Sequence, residues 1–411
     1  MANTVDLDEI EEFEDKPADL EVKIKKLANM VRDCKHLVVF TGAGISTSAS
    51  IPDYRGPNGV WTLKAQGKKP KARTSFDDAI PTPCHMTLKE LQDRNILKYV
   101  VSQNVDGLHR RSGIRKECIS ELHGNCYLEV CWSCSYEQLR HKEVRMKPNP
   151  FNGRCKPCLK RVPHFCHCTL DKCVKCKTPM RDSIIHFGEN LPEKALALAY
   201  ENGREADIMI VLGSSLRVSP ANDVPEETVG KGGKLVIVNL QKTPLDGSAA
   251  LRIFARTDLV CQMLMKELAI PIPQFIPHRI IYIGNTHEEI STGKQSAVDS
   301  ESATEKKSSH KWTVYLRGEP GTDLTPFIGA VSFHLHTTFK PDVITLYKPP
   351  YEVTKVGWGI FNVNLVVELN NGMISEYNHM LDFNQENVST KETLFLQQGP
   401  PEMIEEGTDQ L

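Results

Sequence analysis

The sequence predicts an α/β fold, a doubly wound parallel sheet carrying a metal-binding module, followed by a linker and a small all-β sandwich. Three observations carry that prediction. Four short apolar runs, Leu37 to Phe40, Tyr99 to Val101, Ile208 to Leu212 and Leu235 to Val238, are separated by helix-like stretches, and each ends in small or polar residues. Eight of the 13 cysteines fall between Cys131 and Cys176. Near the far end, Phe361, Val363, Leu365, Val367 and Leu369 alternate with mostly polar neighbours. Short runs rich in Val, Ile and Leu read as buried parallel strands, and strict alternation reads as a half-buried antiparallel one.

The elements follow in order. Asp6 to Glu14 is acidic and reads as part of a solvated tail, residues 1–18. Leu20, Ile24, Leu27 and Val31 have helical spacing over Ala18 to Asp33 and lead into the first strand. That strand ends in Thr41-Gly42-Ala43-Gly44-Ile45-Ser46, where glycine permits a tight turn and close approach of backbone N–H groups to a phosphate, so a dinucleotide is the natural ligand. The turn lacks the third glycine of the dehydrogenase fingerprint, and no acidic residue ends the next strand. Pro52 to Gly59 holds four Pro or Gly in eight residues and reads as an irregular covering loop. Thr87 to Arg94 reads as a helix before the second strand. The second, third and fourth strands end in Gln103-Asn104-Val105-Asp106, Gly213-Ser214-Ser215 and Asn239-Leu240-Gln241, and ligands of such sheets sit beyond the carboxyl ends of the strands.

Length and composition set the bounds. At 411 residues there is room for two or three domains. The 50 basic and 52 acidic side chains exert no general pull toward nucleic acid, so direct nucleic-acid binding is not expected. No apolar stretch approaches the roughly 20 residues of a membrane helix, and no signal-peptide pattern opens the sequence, so the expectation is a soluble, intracellular protein without a membrane partner.

In a reducing compartment a cysteine cluster means metal. Cys131-x-x-Cys134 and Cys173-x-x-Cys176, about forty residues apart, match the closed tetrahedral site of a structural zinc, in a module at about 126–180. Between them lie Cys155-x-x-Cys158, His164, Cys166, His167 and Cys168. These are either ligands of a second zinc, competitors for the first, or loop residues without metal, and the sequence leaves one or two ions open.

Ser120-Glu121-Leu122-His123-Gly124-Asn125 follows the second strand, and an imidazole is a good general base near neutral pH. Taken in order, Thr41 to Ser46, Pro52-Asp53-Tyr54-Arg55-Gly56, Gln103 to Asp106, Leu122 to Asn125, the paired cysteine knuckles, Phe187-Gly188-Glu189, Gly213-Ser214-Ser215 and Asn239 resemble the sirtuins over roughly Asp19 to Ile272. Ile51 to Thr62 and Ile185 to Glu189 look most like class IV sirtuins, near the nucleolar branch.

The resemblance implies NAD-dependent removal of acyl groups from lysine, with nicotinamide, O-acyl-ADP-ribose and free lysine as products. By the same analogy Gly42, Ala43, Gly44, Ile45 and Ser46, with Gly213, Ser214 and Ser215, would hold phosphates and ribose. Asp53, Tyr54, Arg55, Gln103, Asn104, Val105 and Asp106 would shape the nicotinamide pocket, and Asn239, Leu240 and Gln241 would complete the cofactor site. His123 would act as base, assisted by Asn104 and Asp106. A strand-like Ile184 to Phe187 would pair with the substrate backbone, so that Phe187, Gly188 and Glu189 touch the peptide.

Between Tyr282 and Trp312 there is no aromatic residue, and 284–311 reads as a flexible linker, closing a catalytic domain at 19–283. The runs Trp312 to Leu316, Val331 to Leu335 and Val343 to Tyr347, with the turn signal Asn370-Asn371-Gly372, complete a sandwich over 312–392, with a tail at 393–411. Trp312 to Gly318, Phe333 to Phe339, Pro349-Pro350-Tyr351 and Gly357 to Phe361 look like a YEATS domain, an immunoglobulin-like sandwich that reads acylated lysine on histone tails. The likeness implies that Phe339 and Trp358, beside Gly357, flank the flat acyl amide, with His336 and Thr338 lining the channel. The two resemblances together imply a nuclear, chromatin-associated deacylase of histones or other nuclear proteins, tethered to a reader. An NAD-binding chromatin scaffold with weak catalysis, and a protein ADP-ribosyltransferase, are the alternatives.

Overall fold

The computed structural model describes residues 10–69, 76, 79–140, 143–144, 147, 150–161, 166–275, 278–290, 309–320, 322–325, 327–384 and 388–396. The chain forms two units, one reaching Phe275 and the other Ile276–Leu396. In the first, α1 (Pro17–Asp33) leads into β1 (Leu37–Thr41), α2 (Val60–Ala65), α3 (Pro83–Asp93), β2 (Leu97–Ser102), α4 (Leu108–Arg111) and β3 (Ile119–Glu121). A small module follows: β4 (Leu128–Cys131), β5 (Glu137–Leu139), β6 (Pro150–Phe151), β7 (Arg154–Cys155), β8 (Cys168–Lys172) and β9 (Pro179–Asp182). Then come α5 (Glu193–Glu205), β10 (Ile208–Leu212), α6 (Asp223–Gly230), β11 (Lys234–Val238), β12 (Leu251–Ile253) and α7 (Thr257–Glu267).

The four apolar runs are β1, β2, β10 and β11, central strands of a parallel sheet ordered β12-β11-β10-β1-β2-β3. They read as continuous apolar runs because helices cover both faces. Leu37 and Val39 of β1 pack with Leu27 of α1, Leu88 of α3 and Val260 of α7, while Val38 and Phe40 pack with Ala199 of α5 and Val224 of α6. The order places the switch point between β1 and β10, where connections leave in opposite directions and open a crevice. The second helix starts at Pro83, ahead of the expected Thr87. Thr82 caps it in a box with His85, and Pro83 occupies a first-turn position where its missing N–H costs nothing. The module is a sheet ordered β5-β4-β9-β8 plus the hairpin β6-β7.

Three boundaries need correction. Within the expected tail, residues 10–16 lie against this unit: the Phe13 N–H donates to Leu240 O at 2.9 Å, the Asp15 N–H to Phe254 O at 2.7 Å, and the Phe13 and Phe254 rings sit 5.5 Å apart. Two apolar and acidic anchors thus outweigh the acidic composition. The expected linker is also misplaced. β13 (His278–Ile290) and β14 (Ser309–Gly318) pair antiparallel from Ile281↔Gly318 to Ile290↔Ser309, so 291–308, which lie outside the described residues, connect two strands of the second unit and do not join the units. Ile281 and Ile283 face inward and Asn285 is buried against His379 at 2.8 Å, a strand with too few apolar residues to stand out by composition.

The second unit continues with β15 (Ile328–His334), β16 (Val343–Leu346), β17 (Tyr351–Gly357), β18 (Phe361–Leu369), β19 (Ile374–Leu381) and β20 (Ser389–Phe395). Two four-stranded antiparallel sheets, β17-β14-β13-β20 and β16-β15-β18-β19, make an all-β sandwich around Trp312, Phe333, Val363 and Leu365. Residues 393–395, expected in the tail, belong to β20, and 397–411 lie outside the described residues. Among the described residues no helix is long and apolar enough to cross a membrane.

Candidate active site

A cavity of about 720 Å³ lies at the carboxyl ends of the parallel strands. Gly42, Ala43 and Gly44 after β1 line it, with Gln103, Asn104 and Val105 after β2, Gly213, Ser214 and Ser215 after β10, and Asn239, Leu240 and Gln241 after β11. All four strand endings therefore meet in one place. Glu12, from the segment read as a tail, lines it too.

The glycines do something other than expected. The Gly42 N–H donates to Leu212 O at 3.0 Å and the Gly44 N–H to Gly213 O at 2.9 Å, so neither is left for a phosphate. A Cβ on Gly42 would stand 2.7 Å from Gly213 O, and one on Gly44 2.7 Å from the Gly213 Cα. Glycine lets the loops after β1 and β10 touch backbone to backbone. Ile45, Ser46 and Asp106, expected in the cofactor site, are buried and lie outside the cavity lining. The Ser46 hydroxyl donates to Asp106 at 2.7 Å, and Asp106 accepts the Leu108 N–H at 2.9 Å. Burial raises the Asp106 carboxyl above its ordinary range, against the pull of these bonds. The Asn104 amide donates to Gly42 O at 3.0 Å, completing a brace between the loops after β1 and β2.

His123 stands where the chain turns after β3. A Cβ on the next residue, Gly124, would come 2.0 Å from Ser183 O, and its φ is 85°, so only glycine fits. The His123 Nδ1 lies 2.9 Å from Gln103 O. A carbonyl only accepts, so Nδ1 carries the proton and Nε2 keeps the basic lone pair. Burial lowers the pKa of His123, the bond to Gln103 opposing it, which leaves the ring neutral at neutral pH. Gln103 also accepts the Ser214 hydroxyl at 3.1 Å, while its Nε2 is buried without a partner among the described residues. That is a wall donor in want of a polar ligand.

The Pro/Gly loop is pinned over the cavity. Asp53 accepts the Gly56 N–H at 2.9 Å, the Trp61 N–H donates to Tyr54 O at 2.9 Å, and the Gln241 amide donates to Arg55 O at 3.0 Å. Burial raises the Asp53 carboxyl. The Arg55 guanidinium lies 4.8 Å from the Trp61 ring centre, and Trp61 touches both Tyr54 at 4.7 Å and Phe187 at 5.6 Å. Trp61 was not singled out from sequence; an aromatic just past a Pro/Gly loop was the signal.

Opposite, Ile184 to Phe187 is not a strand of any sheet: the Ile185 N–H goes to His123 O at 3.1 Å. Phe187 is exposed at the rim, but Glu189 is engaged in the wall, accepting the His186 N–H at 3.0 Å and lying 2.9 Å from His167 Nε2. The other His167 nitrogen is 2.8 Å from Asp182. His167, one of the residues the sequence left open as a ligand of a second zinc, has both ring nitrogens against carboxylates. His164 lies outside the described residues.

The Sγ atoms of Cys131, Cys134, Cys173 and Cys176 lie within 4.8 Å of one another, with Cys131 and Cys176 3.3 Å apart. Four thiols at that spacing fit the zinc expected there, whose tetrahedral sulfurs would be about 3.8 Å apart for bonds of about 2.3 Å. In the second unit His336 and Thr338 are exposed and joined at 3.0 Å, and Trp358 is exposed on the turn between β17 and β18. Phe339 rests on Trp312 and Phe361, each with ring centres 5.5 Å away, and a Cβ on Gly357 would meet Phe339 at 3.1 Å. Trp312 and Phe361, not singled out as site residues in the sequence, support the Phe339 ring from below.

Comparison with known proteins follows this division. Residues 68–220 match the model of the Sir2 family and residues 307–385 that of the YEATS family, so the second unit carries a YEATS domain. An NAD-dependent protein deacetylase of Arabidopsis thaliana is 44% identical over 64% of this chain and 53% of its own length. The NAD-dependent protein deacetylase sirtuin-7 of Homo sapiens is 44% identical over 64% of each. The chain thus spans between half and two thirds of these relatives. An NAD-dependent protein deacetylase of Thermotoga maritima is 35% identical over 56% of this chain and 92% of its own. With that bacterial relative covered almost end to end, and the strand-end loops meeting around one histidine, the chain belongs to the Sir2 family, the sirtuins.

Proposed function

We propose that the protein is an NAD-dependent protein-lysine deacylase acting on histone tails or other nuclear proteins, with the YEATS domain reading acyl-lysine. The observation that carries this is His123: a half-buried, neutral imidazole whose Nδ1 proton is fixed on Gln103 O, so that Nε2 is the base at a cavity walled by all four strand endings. Relatives over the same region are named as deacetylases. A nuclear location accords with both domains.

NAD fits the wall. The buried Gln103 amide N–H lacks an acceptor among the described residues, and Asn239, Leu240, Gln241 and Ser214 add polar groups at the same crevice. Bound there, NAD would supply an electrophilic ribose carbon with nicotinamide as leaving group, and its ADP-ribose part would carry away the acyl group. Because the leaving group is already cationic, the protein needs a placed base and a dry site more than a strong acid. His123 takes the ribose hydroxyl proton at Nε2. Asn104 and the Ser46–Asp106 pair act from behind, fixing the loops that carry Gly42 and Gln103. Tyr54, Arg55 and Trp61 close the top against water. A zinc held by Cys131, Cys134, Cys173 and Cys176 would be structural, since the four thiolates would leave no position for substrate.

The test is nicotinamide release from NAD with acetylated, crotonylated and long-chain acylated histone peptides. Release that requires peptide and yields acyl-ADP-ribose is expected. ADP-ribose attached to protein, with no free acyl-ADP-ribose, would replace this reading with transfer to protein, and no turnover with any peptide would leave an NAD-binding reader.

A further inference from the structure

We propose that Cys155, Cys158, Cys166 and Cys168, in the insert between the two knuckles of the first site, form a second tetrahedral zinc site. Their Sγ atoms lie within 4.8 Å of one another, with Cys158 and Cys166 4.0 Å apart, close to the roughly 3.8 Å that four thiolates on one zinc require. That separation is also far beyond a disulfide bond of about 2.05 Å.

The local backbone repeats that of the first site. At Cys131-x-x-Cys134 the Ser135 N–H donates to Cys131 O at 3.2 Å, the Cys131 N–H to Tyr136 O at 2.9 Å, and Ser135 has φ 55°. At Cys173-x-x-Cys176 the Lys177 N–H donates to Cys173 O at 2.9 Å, the Cys173 N–H to Thr178 O at 2.8 Å, and Lys177 has φ 62°. At Cys155-x-x-Cys158 the Leu159 N–H donates to Cys155 O at 2.7 Å, the Cys155 N–H to Lys160 O at 2.8 Å, and Leu159 has φ 58°. A leucine in the left-handed region is uncommon, and here it appears where the other two knuckles place Ser and Lys. The third knuckle is built like the two that converge on one ion.

Burial points the same way. Cys155, Cys166 and Cys168 are fully buried, whereas Phe151, Leu159 and Leu170 of the same insert are exposed. Among the described residues these apolar side chains face solvent while the thiols face inward, the reverse of a hydrophobic core. A segment this small needs a staple in place of a core. His167 is not one of these four ligands, its ring nitrogens lying against Asp182 and Glu189, yet it sits between two of them. Holding Cys166 and Cys168 aims its ring at Glu189 in the cavity wall. This last role rests on the deacylase reading.

Metal analysis of the full-length protein decides the matter, with about two zinc ions per chain expected and about one in Cys158→Ser/Cys168→Ser. Should that variant misfold, native alkylation of the wild type with peptide mapping serves: the four insert thiols are protected with zinc and labelled after chelation. One zinc per folded chain with insert thiols freely alkylated, or a disulfide among them, overturns the site. In the variant the KM for acylated peptide rises several-fold and that for NAD stays put; an unchanged peptide KM overturns the role of His167. Failure of the deacylase reading would abolish turnover in the wild type and leave the metal count as it is.

Discussion

In the Sir2 unit the groups assigned to chemistry are locked: Asn104, Asp106 and His123 each have a bond to a neighbouring loop, and Asn104 and Asp106 are buried. In the YEATS unit His336, Thr338 and Trp358 are exposed, and Phe339 is bedded in the fold. Making and breaking bonds requires a proton at a stated nitrogen and exclusion of water, which only a rigid surround provides. Reading a neutral amide requires flat apolar faces that a peptide can reach. The first site should therefore respond to mutation through rate, and the second through affinity.

The largest effect is expected at His123. Replacement by Ala should lower kcat by about 10²–10⁴-fold, the usual weight of a general base, while leaving the melting temperature and acyl-peptide binding by the YEATS unit nearly unchanged. Stopped or steady-state nicotinamide release measures the first, and calorimetry the others. A loss of less than about tenfold would remove His123 from the base role. The pH profile sharpens the point. His123 acts only when unprotonated, and burial holds its pKa below the ordinary imidazole value, so kcat/KM should be flat through neutral pH and fall only as pH drops below about 6.5. A limb above that value would mean that the ring is not the neutral base seen here.

Next comes the contact between the loops after β1 and β10. Gly42→Ala would place a Cβ 2.7 Å from Gly213 O and 2.8 Å from Ser214, and backbone on both sides leaves little room to yield. We expect a loss of about 1–3 kcal/mol in unfolding free energy, as for other overpacked sites, together with weaker NAD binding. Retained stability with lost NAD affinity would restore the phosphate role first expected of this glycine.

How much of this was legible in the sequence depended on whether a residue's burial had apolar cause. β1, β2, β10 and β11 were plain because helices cover both of their faces. β3 and β12 have only three residues each and offer no period to read. β13 was lost inside a polar stretch because its buried Asn285 is satisfied by His379, a partner far off in sequence. The glycine turn was found, but its reason was not, since the N–H partners Leu212 and Gly213 come from another strand. Cysteine spacing located the first metal site, whereas the fate of His167 depended on Asp182 and Glu189, and no spacing rule connects those three.

The smallest effect separates the two aromatics of the reader. Trp358 is 57% exposed, so truncating it should leave the fold alone and remove stacking worth about 0.5–1.5 kcal/mol, a two- to roughly tenfold loss of affinity for acetylated or crotonylated histone peptide. Phe339 lies against Trp312 and Phe361 and under Gly357, so Phe339→Ala should cost stability as well as binding. Peptide titration and thermal unfolding of both variants, alongside nicotinamide release with short peptides, check the contrast. Turnover of short peptides should match the wild type in Trp358→Ala, because that ring belongs to recognition and His123 to chemistry. If Trp358→Ala binds acyl peptide as tightly as the wild type, the exposed indole is not part of the reading surface, and recognition would have to be carried by Phe339, His336 and Thr338.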